Sequence, residues 1–170
     1  GKHKGSRLFA VDWKEWSQYR IAREDAEDTM TADEVKAKLG LVPHPREGGF
    51  YVRTYESGEL IPATAFGDKR YPGPRHTATA IYYLLEPGTF SEMHRLKSDE
   101  IFHFYAGDPV EMLQLHRQGS GQVIRIGNQL ALGERPQVVV PRGLWQGSHL
   151  APGGEWALLG CTASPGFEFA

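Results

Sequence analysis

Beyond residue 48 the chain consists of short apolar segments separated by glycine and proline. Seven of them are rich in β-branched and aromatic residues: FYVRTYES, TATAIYYLL, EIFHFY, VEMLQLH, GQVIRIG, QVVVP and WALLGCT. Such residues favour extended strands, and the intervening breaks, such as EPG, AGDP, QGSG and APGG, are typical of turns. No long helical pattern separates the segments, which argues against a parallel α/β sheet. The chain is therefore predicted to be mainly β, with its strands arranged as a sandwich or a barrel.

Two helices are predicted before the strands. Residues 8–30 carry Trp13 and Trp16 three positions apart, a spacing that places both on one helix face. A second helix begins at Thr31, where Thr-x-x-Glu forms a capping box, and ends at Gly40. We expect these short helices to pack on the outside of the β domain.

Length and composition limit the classes of protein that are compatible with the chain. Its 170 residues suit a single domain, predicted over residues 31–170, preceded by an N-terminal extension over residues 1–30. The basic opening GKHKGSR is typical of a cloning remnant and is left out of the fold prediction. The net charge of −2 gives no electrostatic footprint for nucleic acid, and no apolar run approaches the ~20 residues of a membrane span. Cys161 is the only cysteine, which fits a cytoplasmic protein.

The stretch MHRLKSDEIFHFYAG, residues 93–107, contains most of a known metal-site pattern. Gly88 is followed by five residues and His94, then Glu100 comes six positions later, and Gly107 follows after six more residues. These spacings resemble the first cupin motif. Leu96 stands where that motif has its second histidine.

A later segment, PRGLWQ, resembles the second cupin motif, with Gln146 at its histidine position. Longer segments, including PHPREGGFYVRTYES, SDEIFHFYAGDP, ERPQVVVPRGLWQ and GCTASPGFEF, look like the small Cupin_5 family of unassigned function, over roughly residues 33–170. The resemblance implies a double-stranded β-helix, the jelly-roll barrel of cupins. It also implies a homodimer and a fold related to the sugar-nucleotide epimerases of rhamnose synthesis.

His94 and Glu100 are the candidate catalytic residues, because the resemblance places both on the inner wall of the barrel. In the related epimerases an inner-wall histidine is the base, a carboxylate assists it and a tyrosine is the acid. His94 and Glu100 are therefore predicted as base and orienting carboxylate, with Tyr51 or Tyr83 as the acid. Strand alternation turns His103 to the opposite face from Glu100.

The same wall offers a candidate metal set of His94, Glu100 and Gln146. A catalytic transition metal normally has two or more imidazole or thiolate ligands, and this set supplies one imidazole. No cofactor is therefore expected, although a weakly bound divalent metal stays open.

A ligand site is predicted on an early strand and at the barrel mouth. If its face is the inner one, Arg53 lies between two tyrosines and suits a phosphorylated ligand with a flat ring; if the face is outer, these are ordinary strand residues. The partner is expected to be a small molecule, and by analogy with the epimerases a nucleoside diphosphate. The predicted ligand-binding residues are Arg53, Tyr51, Tyr55, Phe102, Phe104, Trp145 and Gln146.

Three functions are compatible with these residues. The first is a small-molecule-binding cupin of the isomerase or epimerase type. The second is a metal-dependent cupin enzyme such as a dioxygenase, and the third is a ligand-binding or sensor module without catalysis.

Overall fold

The structure is a computed structural model that describes residues 30–67 and 69–169. The helix predicted around Trp13 and Trp16 lies outside the described residues. Within the described part, no helix has the length and the apolar character needed to cross a bilayer.

The one α-helix of the described residues, α1, spans Ala32–Leu39. Its capping box is complete, because Glu34 N donates to Thr31 Oγ1 at 3.3 Å and Thr31 N donates to Glu34 Oε2 at 2.8 Å. Gly40 ends the helix in the left-handed conformation, with φ of 68°. Val35 is buried in a cluster with Leu84 from the sheet, so the helix packs on the outer face as predicted.

The remaining elements are strands, with short 3-10 turns at Ala63–Ala65 and Leu130–Leu132. In chain order the strands are β1 Val42–Pro43, β2 Phe50–Glu56, β3 Leu60–Ile61, β4 Arg75–His76, β5 Thr79–Leu85, β6 Phe90–His94, β7 Asp99–Gly107, β8 Val110–Leu115, β9 Gly121–Ile126, β10 Gln137–Val140, β11 Trp145–Leu150 and β12 Ala157–Ser164.

Two antiparallel sheets form the barrel. One has the strand order β1-β2-β5-β12-β7-β10 and the other β6-β11-β8-β9, while β3 and β4 make a separate two-stranded ribbon. The core between the two sheets includes fully buried Leu85, Met112, Ile126 and Leu159. This is a mainly β, cupin-like fold, so the predicted fold class is confirmed.

Of the five strands in the described residues that were not predicted from the apolar pattern, two carry residues of the cupin motifs, β6 and β11. Their sequences, FSEMH and WQGSHL, mix polar and apolar residues without a clean alternation. Their neighbours hold them in place instead: β11 pairs with both β6 and β8, and Gln146 lies opposite His94 on one side and Gln114 on the other. These two strands bring the second cupin motif beside the first.

Candidate functional site

His94 is the last residue of β6, and its imidazole is oriented by the backbone. Its Nδ1 lies 2.7 Å from the carbonyl oxygen of Glu92. Since a carbonyl only accepts hydrogen bonds, Nδ1 carries the proton and donates it. In the neutral ring, Nε2 is therefore the unprotonated nitrogen.

Gln146 joins His94 to Glu100. Its amide nitrogen, in a side chain that is almost fully buried, lies 2.5 Å from Glu100 Oε2 and 3.3 Å from His94 Nε2. Both of those atoms are acceptors, and the amide has two hydrogens to donate. The residue at the missing histidine position therefore works as a double hydrogen-bond donor.

Burial changes the acidity of Glu100, which lies at the inner end of β7. Removal from water raises the pKa of Glu100 to about 7, and the carboxylate of Glu47 acts in the same direction. The hydrogen bond from Gln146 and the nearby His94 oppose this rise without cancelling it. Near neutral pH, the side chain is therefore present in both its protonated and its ionised form.

Glu47 is a site residue that the sequence analysis missed. It lies in the loop between β1 and β2, and its Oε2 is 3.6 Å from His94 Nε2 and 3.9 Å from His44 Nε2. His44 has the opposite tautomer from His94, because its Nδ1 accepts a hydrogen bond from the backbone N–H of Glu47 at 2.9 Å. Burial is the main cause that lowers the pKa of His44. The imidazoles of His44 and His94 both lie close to the Glu47 carboxylate.

Two glycines let this loop reach the site. Gly48 and Gly49 have φ of 84° and 67°, which other residues rarely adopt. A Cβ on Gly48 would lie 2.2 Å from the carbonyl oxygen of Phe90, so a side chain there would push the loop away from β6. The sequence signal for the missed residues was the segment PHPREGG, which places His44 and Glu47 just before the glycine pair.

A narrow cavity with about 30 Å³ of space inside a wider mouth opens beside these residues. We call it the aromatic pocket, because Tyr51, Phe167 and Phe169 line it with His44. The ring of His44 meets Tyr51 edge-on at 4.7 Å between centroids. Glu47 and Glu100 also line the pocket, so two of the carboxyl groups described above face it.

The early strand carries only part of the predicted ligand face. Tyr51 and Arg53 line the aromatic pocket, and their role in ligand binding stays a prediction. A bulge after Arg53 shifts the register of β2, so Arg53 lies opposite Ile81 but Tyr55 lies opposite Ala80. A one-residue shift reverses the face of a strand. Tyr55 is 53% exposed, and the prediction that it shares the face of Arg53 is wrong.

Four other predicted ligand residues lie outside the pocket lining. Phe102 and Phe104 do point inward on β7, but they pack in the barrel core below the pocket. Trp145 is exposed on β11, and the guanidinium of Arg95 lies over its ring at 5.2 Å. Gln146 is the one residue of β11 from the predicted set that reaches the acid–base group.

Arg53 is already engaged by protein groups. It forms an ion pair with Glu56 and donates to the carbonyl oxygen of Phe167 at 3.2 Å. Tyr83 is similarly occupied, since its buried hydroxyl donates to the carbonyl oxygen of Gly48 at 2.8 Å. Burial also holds the pKa of Tyr83 well above its usual value, which makes Tyr83 a structural residue and leaves Tyr51 facing the pocket.

Comparison with known proteins identifies the family. The model of the Cupin_5 family, described as "Cupin superfamily (DUF985)", matches residues 33–170. The chain belongs to Cupin_5. The Cupin_5 chain is 29% identical over 136 residues to the uncharacterized protein YML079W of Saccharomyces cerevisiae, covering 76% of this chain and 67% of the relative.

Two relatives of known structure resemble this Cupin_5 chain. Protein SO0799 from Shewanella oneidensis is 36% identical with a TM-score of 0.72, over 82% of this chain and 81% of the other. A hypothetical protein from Leishmania major is 32% identical with a TM-score of 0.73, over 82% and 84%. These names assign no reaction, so the function rests on the site.

The candidate metal set does not fit a tightly bound transition metal. His94, Glu100 and Gln146 do meet, but the atom that bridges them is an amide nitrogen, which has no lone pair to offer a cation. Within residues 30–67 and 69–169, no three His, Cys, Asp or Glu side chains are grouped as a cation site. The weak divalent metal stays a prediction.

Proposed function

We propose that this Cupin_5 protein is a small-molecule isomerase of the epimerase type that moves a proton with its own side chains. The observation that carries the proposal is the pairing of an unprotonated His94 Nε2 with a Glu100 carboxyl whose pKa is raised to about 7. General bases and acids work best when their pKa values lie near the working pH. His94 Nε2 can therefore accept a proton and the protonated Glu100 carboxyl can donate one, with Gln146 between them.

The reaction class is proton abstraction next to a carbonyl group. His94 Nε2 takes the proton from carbon, the electron pair moves to the carbonyl oxygen, and protonated Glu100 donates its hydrogen bond to that oxygen. Glu47, 3.6 Å from Nε2, stabilises the imidazolium that forms. In an isomerisation, His94 returns its proton to the neighbouring carbon, while Glu100 gives a proton to the first oxygen and takes one from the neighbouring hydroxyl, so both side chains are restored. In an epimerisation, Tyr51 donates a proton to the opposite face of the same carbon, and the protein is restored when His94 loses its proton to solvent and Tyr51 regains one.

A nucleoside diphosphate or sugar nucleotide remains the proposed ligand class. The aromatic side chains of Tyr51, Phe167 and Phe169 support contact with a flat ring at the mouth of the pocket, since such side chains favour face or edge contact with rings. Arg53 supports a phosphate contact less than the sequence indicated, because Glu56 already neutralises it.

Deuterium exchange tests the proton transfer. The protein, purified without added metal, is incubated in D2O with nucleoside-diphosphate sugars that carry a keto group, and carbon-bound deuterium is measured by NMR. Wild type should exchange one position, and His94→Gln and Glu100→Gln should each lose about 100-fold or more of the rate. His149→Gln is the matched control, because His149 is an exposed histidine of β11 that faces Glu111 outside the pocket.

Two results would refute the isomerase. Exchange that persists in His94→Gln would remove the proposed base. A ligand that binds in the pocket and is recovered without deuterium would identify a binding module. Near-stoichiometric transition metal that is lost in His94→Ala would favour the metal-dependent alternative.

A further inference from the structure

A second hollow adjoins the aromatic pocket and has a different chemical character. It has about 240 Å³ of space and shares Glu47, Leu96 and Phe167 with the aromatic pocket. His94 lines this second hollow, so the acid–base residues lie at the junction of the two. A ligand that contacts both Glu100 and His94 therefore extends from the aromatic pocket into the second hollow.

Cationic side chains dominate the second hollow and its continuation. Four cations and two carboxylates line it, and a neighbouring depression that shares Arg95, Leu96 and Lys97 is lined by five cations and no carboxylate. We call this continuous surface the basic groove. Its cationic residues are Arg46, Arg70, Arg75, Arg95, Lys97, Arg117 and Arg142. Positive charge is concentrated in the basic groove, although the whole chain has a net charge of −2.

Arg75 gives the clearest sign that the groove is built to receive an anion. Its side chain is only 6% exposed, yet it lines the groove. Within the described part of the chain, its one carboxylate partner is Glu168 at 3.4 Å, and its guanidinium lies over the ring of Tyr71 at 4.6 Å. A guanidinium has five N–H donors, and burying such a charge is costly unless those donors find acceptors.

Hydrogen bonds to its backbone carbonyls fix the loop that forms the groove. Tyr71 donates its hydroxyl to the carbonyl oxygen of Lys97 at 2.8 Å, and the N–H of Gly143 donates to the carbonyl oxygen of Leu96 at 2.8 Å. Arg95 rests on the ring of Trp145. No described carboxylate pairs with Lys97 or Arg117, so these two cations are available to a ligand.

We propose that the basic groove binds the phosphate groups of the ligand whose other end occupies the aromatic pocket. The assignment rests on the proposed function for the identity of the reacting end. Clustered arginine and lysine side chains favour phosphate, because guanidinium forks match its oxygens and its charge. The phosphate subsite is then formed by Arg75, Arg95, Lys97 and Arg117, and not by Arg53.

Titration of inorganic pyrophosphate by calorimetry tests the groove directly. Saturable binding is expected in wild type, and the double variant Lys97→Gln with Arg117→Gln should weaken it by about tenfold or more. The matched control, Lys38→Gln with Arg135→Gln, removes the same charge from exposed positions elsewhere and should leave binding unchanged. Higher salt should weaken wild-type binding, since the contact is electrostatic.

A second titration tests whether one ligand spans both hollows. Tyr51→Ala should weaken binding of a nucleoside diphosphate but not of pyrophosphate, because Tyr51 lines the aromatic pocket and does not line the second hollow. Equal weakening of both probes, or of neither, would overturn the spanning arrangement.

Several results would overturn the phosphate subsite itself. These are the absence of saturable pyrophosphate binding, an equal loss in the control variant, or groove-dependent binding of a single-stranded oligonucleotide that pyrophosphate does not displace. The last result would make the groove a nucleic-acid surface. Deuterium exchange and pyrophosphate titration of wild type are separate measurements, so failure of the isomerase would show as absent exchange while the groove still bound pyrophosphate.

Discussion

At alkaline pH, the Glu100→Gln variant should be more stable than wild type. Burial raises the pKa of Glu100 from an ordinary 4.5 to about 7. Between these two pH values the unfolded chain loses the proton while the folded chain keeps it, so folding becomes less favourable as the pH rises. Stability associated with this group is therefore fully present below pH 4.5 and lost once the pH passes about 7.

The size of the effect follows from the shift. At about 1.4 kcal/mol per pKa unit, the shift corresponds to about 3 kcal/mol of unfolding free energy, an upper limit because part of the Glu100 side chain remains in contact with solvent. Glutamine has the shape of the protonated acid and cannot ionise. Glu100→Gln should therefore match wild type near pH 4.5 and exceed its stability by up to about 3 kcal/mol at pH 8.

Urea unfolding followed by tryptophan fluorescence at a series of pH values measures this difference. Glu59→Gln, at an exposed loop position, controls for the loss of one negative charge. A difference between Glu100→Gln and wild type that stays constant from pH 4.5 to 8 would refute the raised pKa, and with it the proposed acid.

Three further predictions concern the loop, the helix cap and the missing ligands. Gly48→Ala should cost about 2 kcal/mol or more of unfolding free energy, because its Cβ would meet the carbonyl oxygen of Phe90, and thermal unfolding would measure the loss. Thr31→Ala should cost about 1 kcal/mol by removing the helix cap, while leaving ligand affinity unchanged in calorimetry. Leu96→His combined with Gln146→His should bind zinc or nickel more tightly than wild type, because three histidines and a glutamate then occupy the motif positions. Equal metal affinity in wild type would show that the native residues already form a metal site.

The sequence was sufficient for the barrel and for the centre of the site. The alternation of short apolar segments indicated the β class, and the motif spacing selected His94, Glu100 and Gln146. These three side chains do meet in the structure. The spacing alone could not reveal that Gln146 acts as a donor to both neighbours, because that depends on the tautomer set by the Glu92 carbonyl.

The parts that were missed depend on long-range packing. Glu47 reaches His94 only because the glycine pair lets a loop lie against β6, and no periodic pattern marks such a loop. The reversed face of Tyr55 follows from a bulge without a glycine to signal it. Arg53 is bound by the carbonyl oxygen of Phe167, 114 positions away, a contact that local sequence cannot reveal.

The most direct measurement of the central claim is the location of the proton on His94. Nitrogen NMR of protein labelled in its histidine rings, with His94→Gln to assign the signals, distinguishes the two tautomers. We predict that the neutral ring carries its proton on Nδ1, so that Nε2 has no proton and faces Gln146 and Glu47. A proton found on Nε2 would contradict it, because the nitrogen at the junction of the two hollows would then have no lone pair with which to accept a proton from a ligand.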